Sequence, residues 1–224
     1  MLHVRSHAWT VAFSDRGDGD LRVSSRGPGE ALAVVQARLL EQLGVAGVAV
    51  PRQVHGAVVV GVEAPVDGYR AGVAEGDGVA TALRALAVGV HIADCLPIAV
   101  GGEGGVVMLH GGWRGLDAGI AAEGVRALRT LGAEGELEAV IGPGVGGCCY
   151  ETGDDVRARF AAYGASRGRL LDLKAIAAAQ LRQAGVAAVH DVELCTICAP
   201  ARRFFSHRRD GLATGRQGGF AWLS

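Results

Sequence analysis

Short apolar, β-branched runs alternate irregularly with segments of helical periodicity, and this alternation constrains the possible fold more than any other feature of the chain. The apolar runs predict strands at residues 8–13, 45–50, 57–62, 88–93, 105–109, 137–141 and 186–189. The helical spacing predicts helices at residues 30–43, 113–131, 154–160 and 173–183. No linker is long enough to divide these elements, and they form no strict βαβ series. The sequence therefore predicts a single α/β (mixed α+β) domain over residues 1–224.

Composition and charge exclude several classes of protein. Half of the 224 residues are apolar, which is enough to build a packed core. The net charge of −1 argues against a nucleic-acid binder, because such proteins normally carry a basic excess. The longest apolar stretch, residues 85–100, is interrupted by His91, Asp94 and Pro97, so it does not predict a membrane span.

The cysteines indicate a reducing environment. There are five, an odd number that includes two close pairs, which is not typical of a secreted disulfide framework. The first residues also lack the charged and then apolar pattern of a signal peptide. We therefore expect a reduced, cytoplasmic protein that is a monomer or a weak homodimer.

Two histidines lie beside glycine at the ends of apolar runs, and one cysteine lies at the end of a similar apolar run. They are His55, Cys95 and His110. Loops at a sheet rim leave space for a ligand, and imidazole nitrogens with one thiolate suit zinc. Three protein ligands leave a fourth position open, as in a catalytic zinc site. The wide gaps between the three match no local zinc motif, so the residues alone also allow three ordinary core or surface side chains.

Two short motifs do not predict a site. Residues 142–147 satisfy G-x-G-x-x-G after a predicted strand, but Pro143 lies inside the motif and Cys148 follows where a helix should begin. We therefore do not predict a dinucleotide site. Residues 195–198 read C-x-x-C without a second such pair, which argues against a zinc ribbon.

Arginines are concentrated near the end of the chain. The cluster consists of Arg202, Arg203, Arg208, Arg209 and Arg216. Such a run is either a solvated face or an anion receptor. Arg114 and Arg216 have glycine neighbours, and a guanidinium group beside free backbone N–H groups is a good receptor for phosphate.

Five motifs together resemble the laccase-domain, or polyphenol oxidase, family, which includes proteins described as peptidoglycan editing factors. The motifs are RQVHG (52–56), ADCLP (93–97), HGGWRG (110–115), GPGVGGCCYETG (142–153) and FFSHRRD (204–210). The resemblance covers residues 52–217. It implies mixed sheets sandwiched between helices (α-β-β-α), as in the catalytic domain of the cytotoxic necrotizing factors. The N-terminal segment departs from the family pattern and keeps only Arg16 and Gly17 of it.

The resemblance also implies a function and a ligand set. Its zinc-binding residues fall on His55, Cys95 and His110. The implied activity is zinc-dependent phosphorolysis of purine nucleosides of the adenosine, inosine and guanosine type, with adenosine deaminase side activity. The implied partners are a small nucleoside and phosphate.

Further roles follow from this resemblance. Arg52, Arg114 and Arg216 are candidates for phosphate binding, and Tyr150 for stacking on the base. Asp94, next to Cys95, is a candidate for proton transfer or support of the metal ligands, and a loop-capping role is an equal alternative.

Two other activities remain as alternatives. Cys95 could act as a thiolate nucleophile with His110 as its base, in an amide hydrolase acting on peptidoglycan precursors. A copper-dependent polyphenol oxidase is the weaker alternative, because the chain has no H-x-H pair and only seven histidines.

Overall fold

The computed structural model describes residues 1–22 and 29–224. Its strands are β1 (Leu2–Arg5), β2 (Trp9–Phe13), β3 (Gly47–Arg52), β4 (Val59–Gly61), β5 (Gly68–Glu75), β6 (Gly78–Thr81), β7 (Leu86–Ile92), β8 (Leu96–Glu103), β9 (Gly105–Gly111), β10 (Glu134–Ile141), β11 (Ser166–Arg167), β12 (Leu170–Leu171), β13 (Ala188–Asp191) and β14 (Gln217–Leu223). Its α-helices are α1 (Gly29–Leu43), α2 (Trp113–Asp117), α3 (Ile120–Thr130), α4 (Asp154–Arg159), α5 (Leu173–Gln183) and α6 (His207–Asp210).

Two mixed six-stranded sheets form the centre of the molecule. The first has the order β1-β2-β14-β7-β3-β5, and the second has the order β13-β10-β8-β9-β6-β4. Within the first sheet, β3 runs parallel to both β5 and β7, while β14 is antiparallel to β2 and β7. Within the second, β8 and β9 form a hairpin that pairs Pro97 with His110.

The two sheets pack face to face, and helices cover their outer faces. Successive side chains of a strand point to opposite faces, so Val106 and Met108 of β9 enter the core between the sheets. Val107 and Leu109 face the outer core, which also contains residues of α3 and α5. Helix α1 covers the outer face of the first sheet. The α-β-β-α arrangement predicted for the chain is therefore confirmed.

The predicted secondary structure was wrong in several details, and three of them concern the central sheets and the helices that cover them. Residues 113–131 do not form one helix, because Gly119 adopts a left-handed conformation (φ 86°) and separates α2 from α3. Strand β8 was missed, because residues 94–97, which include Asp94 and Pro97, break the apolar run in sequence. A Cβ on Gly101 would lie 2.6 Å from the Trp9 ring, so this glycine allows the two sheets to approach.

The third detail concerns an edge strand. Strand β5 lies at the edge of the first sheet and is largely exposed, so it has no apolar alternation to reveal it. The short strand β6 follows it directly and was also missed. Among the described helices, none combines the length and the apolar character needed to cross a bilayer.

Candidate functional site

Three strand ends bring His55, Cys95 and His110 together. His55 follows β3, Cys95 lies in the turn between β7 and β8, and His110 is the penultimate residue of β9. One ligand atom from each of the three lies within 4.8 Å of the others. The two imidazole rings have centroids 4.8 Å apart and an interplanar angle of 70°. The three residues therefore form one cluster, although 40 and 15 positions separate them in sequence.

The backbone around this cluster is strained and tightly packed. His55 (φ 63°) and Asp94 (φ 92°) both adopt left-handed conformations that L-residues rarely take. Gly112 leaves the space that the cluster needs, since a Cβ there would lie 3.0 Å from the Cys95 sulfur. Gly115 lets α2 approach, because its Cβ would lie 3.0 Å from the Gly56 carbonyl oxygen.

Asp77 holds two of the three residues in place and was missed by the sequence analysis. Its carboxylate is fully buried between β5 and β6 and accepts hydrogen bonds from the backbone N–H groups of Val54, His55 and Gly56 at 3.1, 2.8 and 2.7 Å. The Nδ1 atom of His110 lies 2.8 Å from Asp77 Oδ1, so Nδ1–H donates and Nε2 remains free to ligate. A carboxylate that orients a histidine in this way is typical of zinc sites.

The electrostatics of the cluster favour a thiolate. Burial alone would raise the pKa of the Cys95 thiol, but the charge of His110 and hydrogen bonds from His110 and His55 lower it to about 6. Burial opposes protonation of His110, but the adjacent Cys95 thiolate and the hydrogen bond to Asp77 raise its pKa. The side chain of Cys95 is thus prepared to bind a soft cation or to act as a nucleophile.

A reciprocal pair of hydrogen bonds fixes the strand ends that carry the cluster. The Gln53 side chain donates to the His91 carbonyl oxygen and accepts from the His91 N–H, both at 2.8 Å. Tyr69 Oη lies 2.6 Å from Nε2 of the same histidine. The Gln53 contacts tie the end of β3, which precedes His55, to the end of β7, which precedes Cys95, and the Tyr69 contact ties β5 to the same end of β7.

A cavity of about 710 Å³ opens over the cluster. Every residue that the sequence analysis named for the site lines it: Arg52, His55, Asp94, Cys95, His110, Arg114, Tyr150 and Arg216. Two further arginines, Arg22 and Arg208, line it as well. Among the described lining residues the only acidic one is Asp94, so the cavity carries a marked excess of positive charge.

The arginines that line the cavity differ in the groups that their guanidinium side chains contact. Arg216 Nη1 donates to the carbonyl oxygens of Thr214 and Gly215 at 3.2 and 2.9 Å. Arg114 lies over the Trp113 ring, 4.4 Å from its centroid. Arg52, by contrast, is exposed and forms an ion pair with Glu75.

The late arginine cluster is not a single surface. Arg209 is structural: it pairs with Asp210 and donates to the carbonyl oxygens of Thr196, Ile197 and Phe204. Arg208 extends over the Tyr150 ring at the cavity wall, 5.1 Å from its centroid.

Asp94 braces loops. Its Oδ1 atom accepts from the Thr196 hydroxyl at 2.7 Å, and its Oδ2 atom accepts from the Arg208 N–H at 2.6 Å. Both oxygens are therefore engaged by neighbouring segments. This geometry favours the loop-capping alternative for Asp94, while Asp77 supports the ligands.

The three clustered side chains fit a zinc ion. Two imidazoles and a thiolate are a zinc-binding set, their ligand atoms are close enough to share one ion, and the cavity leaves a fourth position accessible. Among the described residues, this is the only metal-type cluster that contains histidine. A multicopper centre would need several more histidines around it.

Comparison with known proteins identifies the family of this chain. The family model described as "Multi-copper polyphenol oxidoreductase laccase" matches residues 19–224. A protein of Xylella fastidiosa (strain 9a5c) named purine nucleoside phosphorylase is 39% identical over 209 residues, covering 84% of this chain and 77% of its own length. One of the same name from Aquifex aeolicus is 41% identical over 138 residues, covering 61% of this chain and 66% of its own length.

Solved structures show the same fold. The Bacillus licheniformis hypothetical protein YfiH superposes with a TM-score of 0.86 at 25% identity, covering 96% of this chain and 93% of its own. YlmD from Geobacillus stearothermophilus superposes with a TM-score of 0.79 at 28% identity, covering 96% and 91%. Because the family match spans nearly the whole chain, the protein belongs to the multi-copper polyphenol oxidoreductase laccase family.

Proposed function

We propose that this protein is a zinc-dependent purine nucleoside phosphorylase. The observation that carries the proposal is the composition of one cavity: a three-residue metal-ligand cluster on its floor and arginines with aromatic rings along its walls. Phosphorolysis needs a phosphate receptor, a surface for the purine ring and stabilisation of the charge that leaves with the base. The names of the relatives support the same activity.

The arginines would bind phosphate. In the reaction a phosphate oxygen forms a bond to C1′ of the ribose while the bond between C1′ and the purine nitrogen breaks. Arg114 and Arg216 are the better receptors, because within the described residues neither has a carboxylate partner. The pairing of Arg52 with Glu75 makes it the weaker candidate. Guanidinium groups hold phosphate in a fixed orientation, which lowers the entropic cost of the attack.

The aromatic wall would bind the base. Tyr150 and Trp113 both line the cavity, and each has an arginine guanidinium over its ring. The electron pair of the broken glycosidic bond goes to the purine nitrogen, and the departing purine takes up the proton that the attacking phosphate loses. Stacking holds the ring in place during this step and tolerates different purines.

His55, Cys95 and His110 would hold the metal, and Asp77 keeps His110 oriented for it. A zinc ion there supplies a Lewis acid beside the reacting groups. The same centre suits the proposed side activity, in which water adds to C6 of adenosine and ammonia leaves to give inosine.

The test is an incubation of metal-quantified protein with adenosine, with and without phosphate, followed by chromatography. Adenine and ribose 1-phosphate should form only when phosphate is present, in proportion to the zinc at the three-ligand site. Inosine should form in both samples. A fully zinc-loaded sample that forms neither product would contradict the proposal.

A second candidate rests on a specific contact. Cys95, His110 and Asp77 form a chain of nucleophile, base and orienting carboxylate, as in cysteine hydrolases. An amide hydrolase acting on peptidoglycan precursors would use this chain without a metal. Hydrolysis of a cell-wall peptide that survives metal removal and is blocked by alkylation of Cys95 would favour this candidate over phosphorolysis.

A further inference from the structure

Four cysteines that the proposed reaction does not use form a second cluster. Cys148 and Cys149 follow the glycine-rich loop after β10, and Cys195 and Cys198 belong to the segment after β13. Their sulfur atoms all lie within 4.8 Å of one another. The adjacent pairs 148–149 and 148–198 are 3.6 Å apart, and the pair 149–195 is 3.5 Å apart.

These separations match one metal ion. Two thiolates bound at about 2.3 Å to the same tetrahedral ion lie about 3.8 Å apart. A disulfide needs about 2.05 Å, and a polynuclear iron–sulfur cluster places iron atoms between its cysteines and so spreads their sulfurs further. The second cysteine pair that the C-x-x-C motif lacked in sequence is therefore the vicinal pair Cys148 and Cys149, in the facing loop.

A glycine in the first loop allows the two loops to approach each other closely. A Cβ on Gly146 would lie 3.3 Å from the Cys148 sulfur and 3.6 Å from the Cys195 Cβ, so a larger residue there would crowd cysteines of both pairs.

The two loops that carry the thiols are also joined through their backbones. Thr196 N–H donates to the Gly144 carbonyl oxygen at 3.0 Å, and Gly144 N–H donates to the Leu194 carbonyl oxygen at 3.2 Å. Each loop also contains a turn: Ala199 N–H donates to the Cys195 carbonyl oxygen at 3.0 Å, and Tyr150 N–H donates to the Gly146 carbonyl oxygen at 3.2 Å. The ligands are thus preorganised by two segments that are far apart in sequence.

We propose that Cys148, Cys149, Cys195 and Cys198 form a tetrathiolate site for one zinc ion, separate from the three-ligand cluster. On binding, each thiol loses its proton to solvent and forms one sulfur–zinc bond, with no change of oxidation state. All four positions of the ion are filled by protein, as in structural zinc sites. The ion would fasten the 142–153 loop to the 194–199 segment.

This site would brace the wall of the cavity. Tyr150 directly follows Cys149, and its N–H donates to the Gly146 carbonyl oxygen at 3.2 Å. Thr196 lies within the other loop and donates to Asp94, the neighbour of Cys95. Both proposed metal sites are therefore connected through short loops, while their ligands remain distinct.

The experiment is zinc counting on the full-length protein and on two matched Cys→Ser variants. The wild-type chain should hold about two zinc ions. Cys195→Ser should lose the tetrathiolate ion and keep the other, whereas Cys95→Ser should do the reverse. A wild-type chain with at most one zinc, all of it lost in Cys95→Ser, would overturn the tetrathiolate site without affecting the proposed function.

A second measurement avoids any variant of the four cysteines. His55→Asn loaded with Co²⁺ should show the visible bands and sulfur-to-cobalt charge transfer of a tetrahedral tetrathiolate. A spectrum with nitrogen ligands, or cysteines recovered as disulfides from protein purified and loaded with zinc under reducing conditions, would overturn the proposal. Neither the zinc content nor the Co²⁺ spectrum depends on nucleoside turnover. The test of the tetrathiolate site therefore remains valid even if the phosphorylase assay fails.

Discussion

The two clusters of metal-ligating side chains differ in ligand type, number and surroundings. His55, Cys95 and His110 lie at strand ends, supply three ligands and face a cavity of about 710 Å³. The four cysteines lie on two loops and would supply a complete tetrahedral set. With a metal bound, the first arrangement would keep a position open for substrate, and the second would close every position around the ion.

The two proposed sites would use similar metal ligands for different purposes, one for catalysis and the other for holding loops together. The open cluster is supported by a buried carboxylate, Asp77, and by strained backbone at His55. Strained backbone and a buried charge both reduce the free energy of unfolding, and both are typical of functional sites. The cysteine cluster is supported instead by backbone hydrogen bonds between its two loops, an arrangement that suits a structural site. Variants that affect only one cluster test this distinction.

The largest effect is expected from His55→Asn. Asparagine tolerates the left-handed backbone at this position but lacks the imidazole ligand. A metal contributes several kcal/mol of transition-state stabilisation, so kcat should fall by about 10³-fold or more. Zinc content should fall by one ion per chain, and the circular dichroism spectrum should not change. Normal turnover by His55→Asn without that ion would eliminate the zinc mechanism.

Replacing Arg216 with Ala should mainly weaken phosphate binding. A charge-assisted hydrogen bond is worth about 1.5–3 kcal/mol, so KM for phosphate should rise by about 10- to 100-fold. Zinc content and adenosine deamination should stay at the wild-type level, because deamination needs no phosphate. Arg52→Ala is the matched control, and its smaller effect should follow from its ion pair with Glu75. Equal effects in the two variants would contradict the assigned phosphate position.

Asp77→Asn should weaken metal binding at the open cluster alone. Loss of a carboxylate that orients a ligating histidine typically costs about 10- to 100-fold in metal affinity or activity. Titration against a competing chelator would measure this, with the cysteine site as the internal reference. Added zinc should restore turnover in Asp77→Asn but not in His55→Asn. An unchanged zinc affinity at the open cluster would show that Asp77 only shapes the loop.

The smallest effect is expected at Tyr150. Base stacking is worth about 1–3 kcal/mol, so Tyr150→Ala should raise KM for the nucleoside by about tenfold, while Tyr150→Phe should preserve it. The KM for phosphate should not change in either variant. If Phe and Ala have the same effect, the hydroxyl rather than the ring is what the substrate uses.

The buried strands were predictable because their apolar runs are continuous. Strands such as β7 and β9 are covered on both faces, so nearly every residue in them is apolar. Edge strand β5 was missed for the opposite reason, since its exposed residues satisfy no pattern. The prediction of one helix at 113–131 was wrong because the apolar periodicity continues across Gly119, even though the left-handed conformation of this residue separates α2 from α3.

The sequence by itself determined the fold class and the residues that are candidates for the open cluster. Histidines beside glycine and a cysteine at the end of an apolar run are compatible with a ligand site, but also with ordinary core or surface side chains. The family motifs then narrowed the choice to three residues, whose metal-binding role stays a prediction.

Only the tertiary structure decided which groups support that cluster and which residues share a site. Asp77 reaches His110 because β6 pairs with β9, and nothing local to Asp77 indicates that contact. Cys149 and Cys195 are 46 positions apart, and they meet because the loops after β10 and β13 leave neighbouring parallel strands. Sheet register sets these distances, and register depends on the packing of the whole core rather than on any local run of residues.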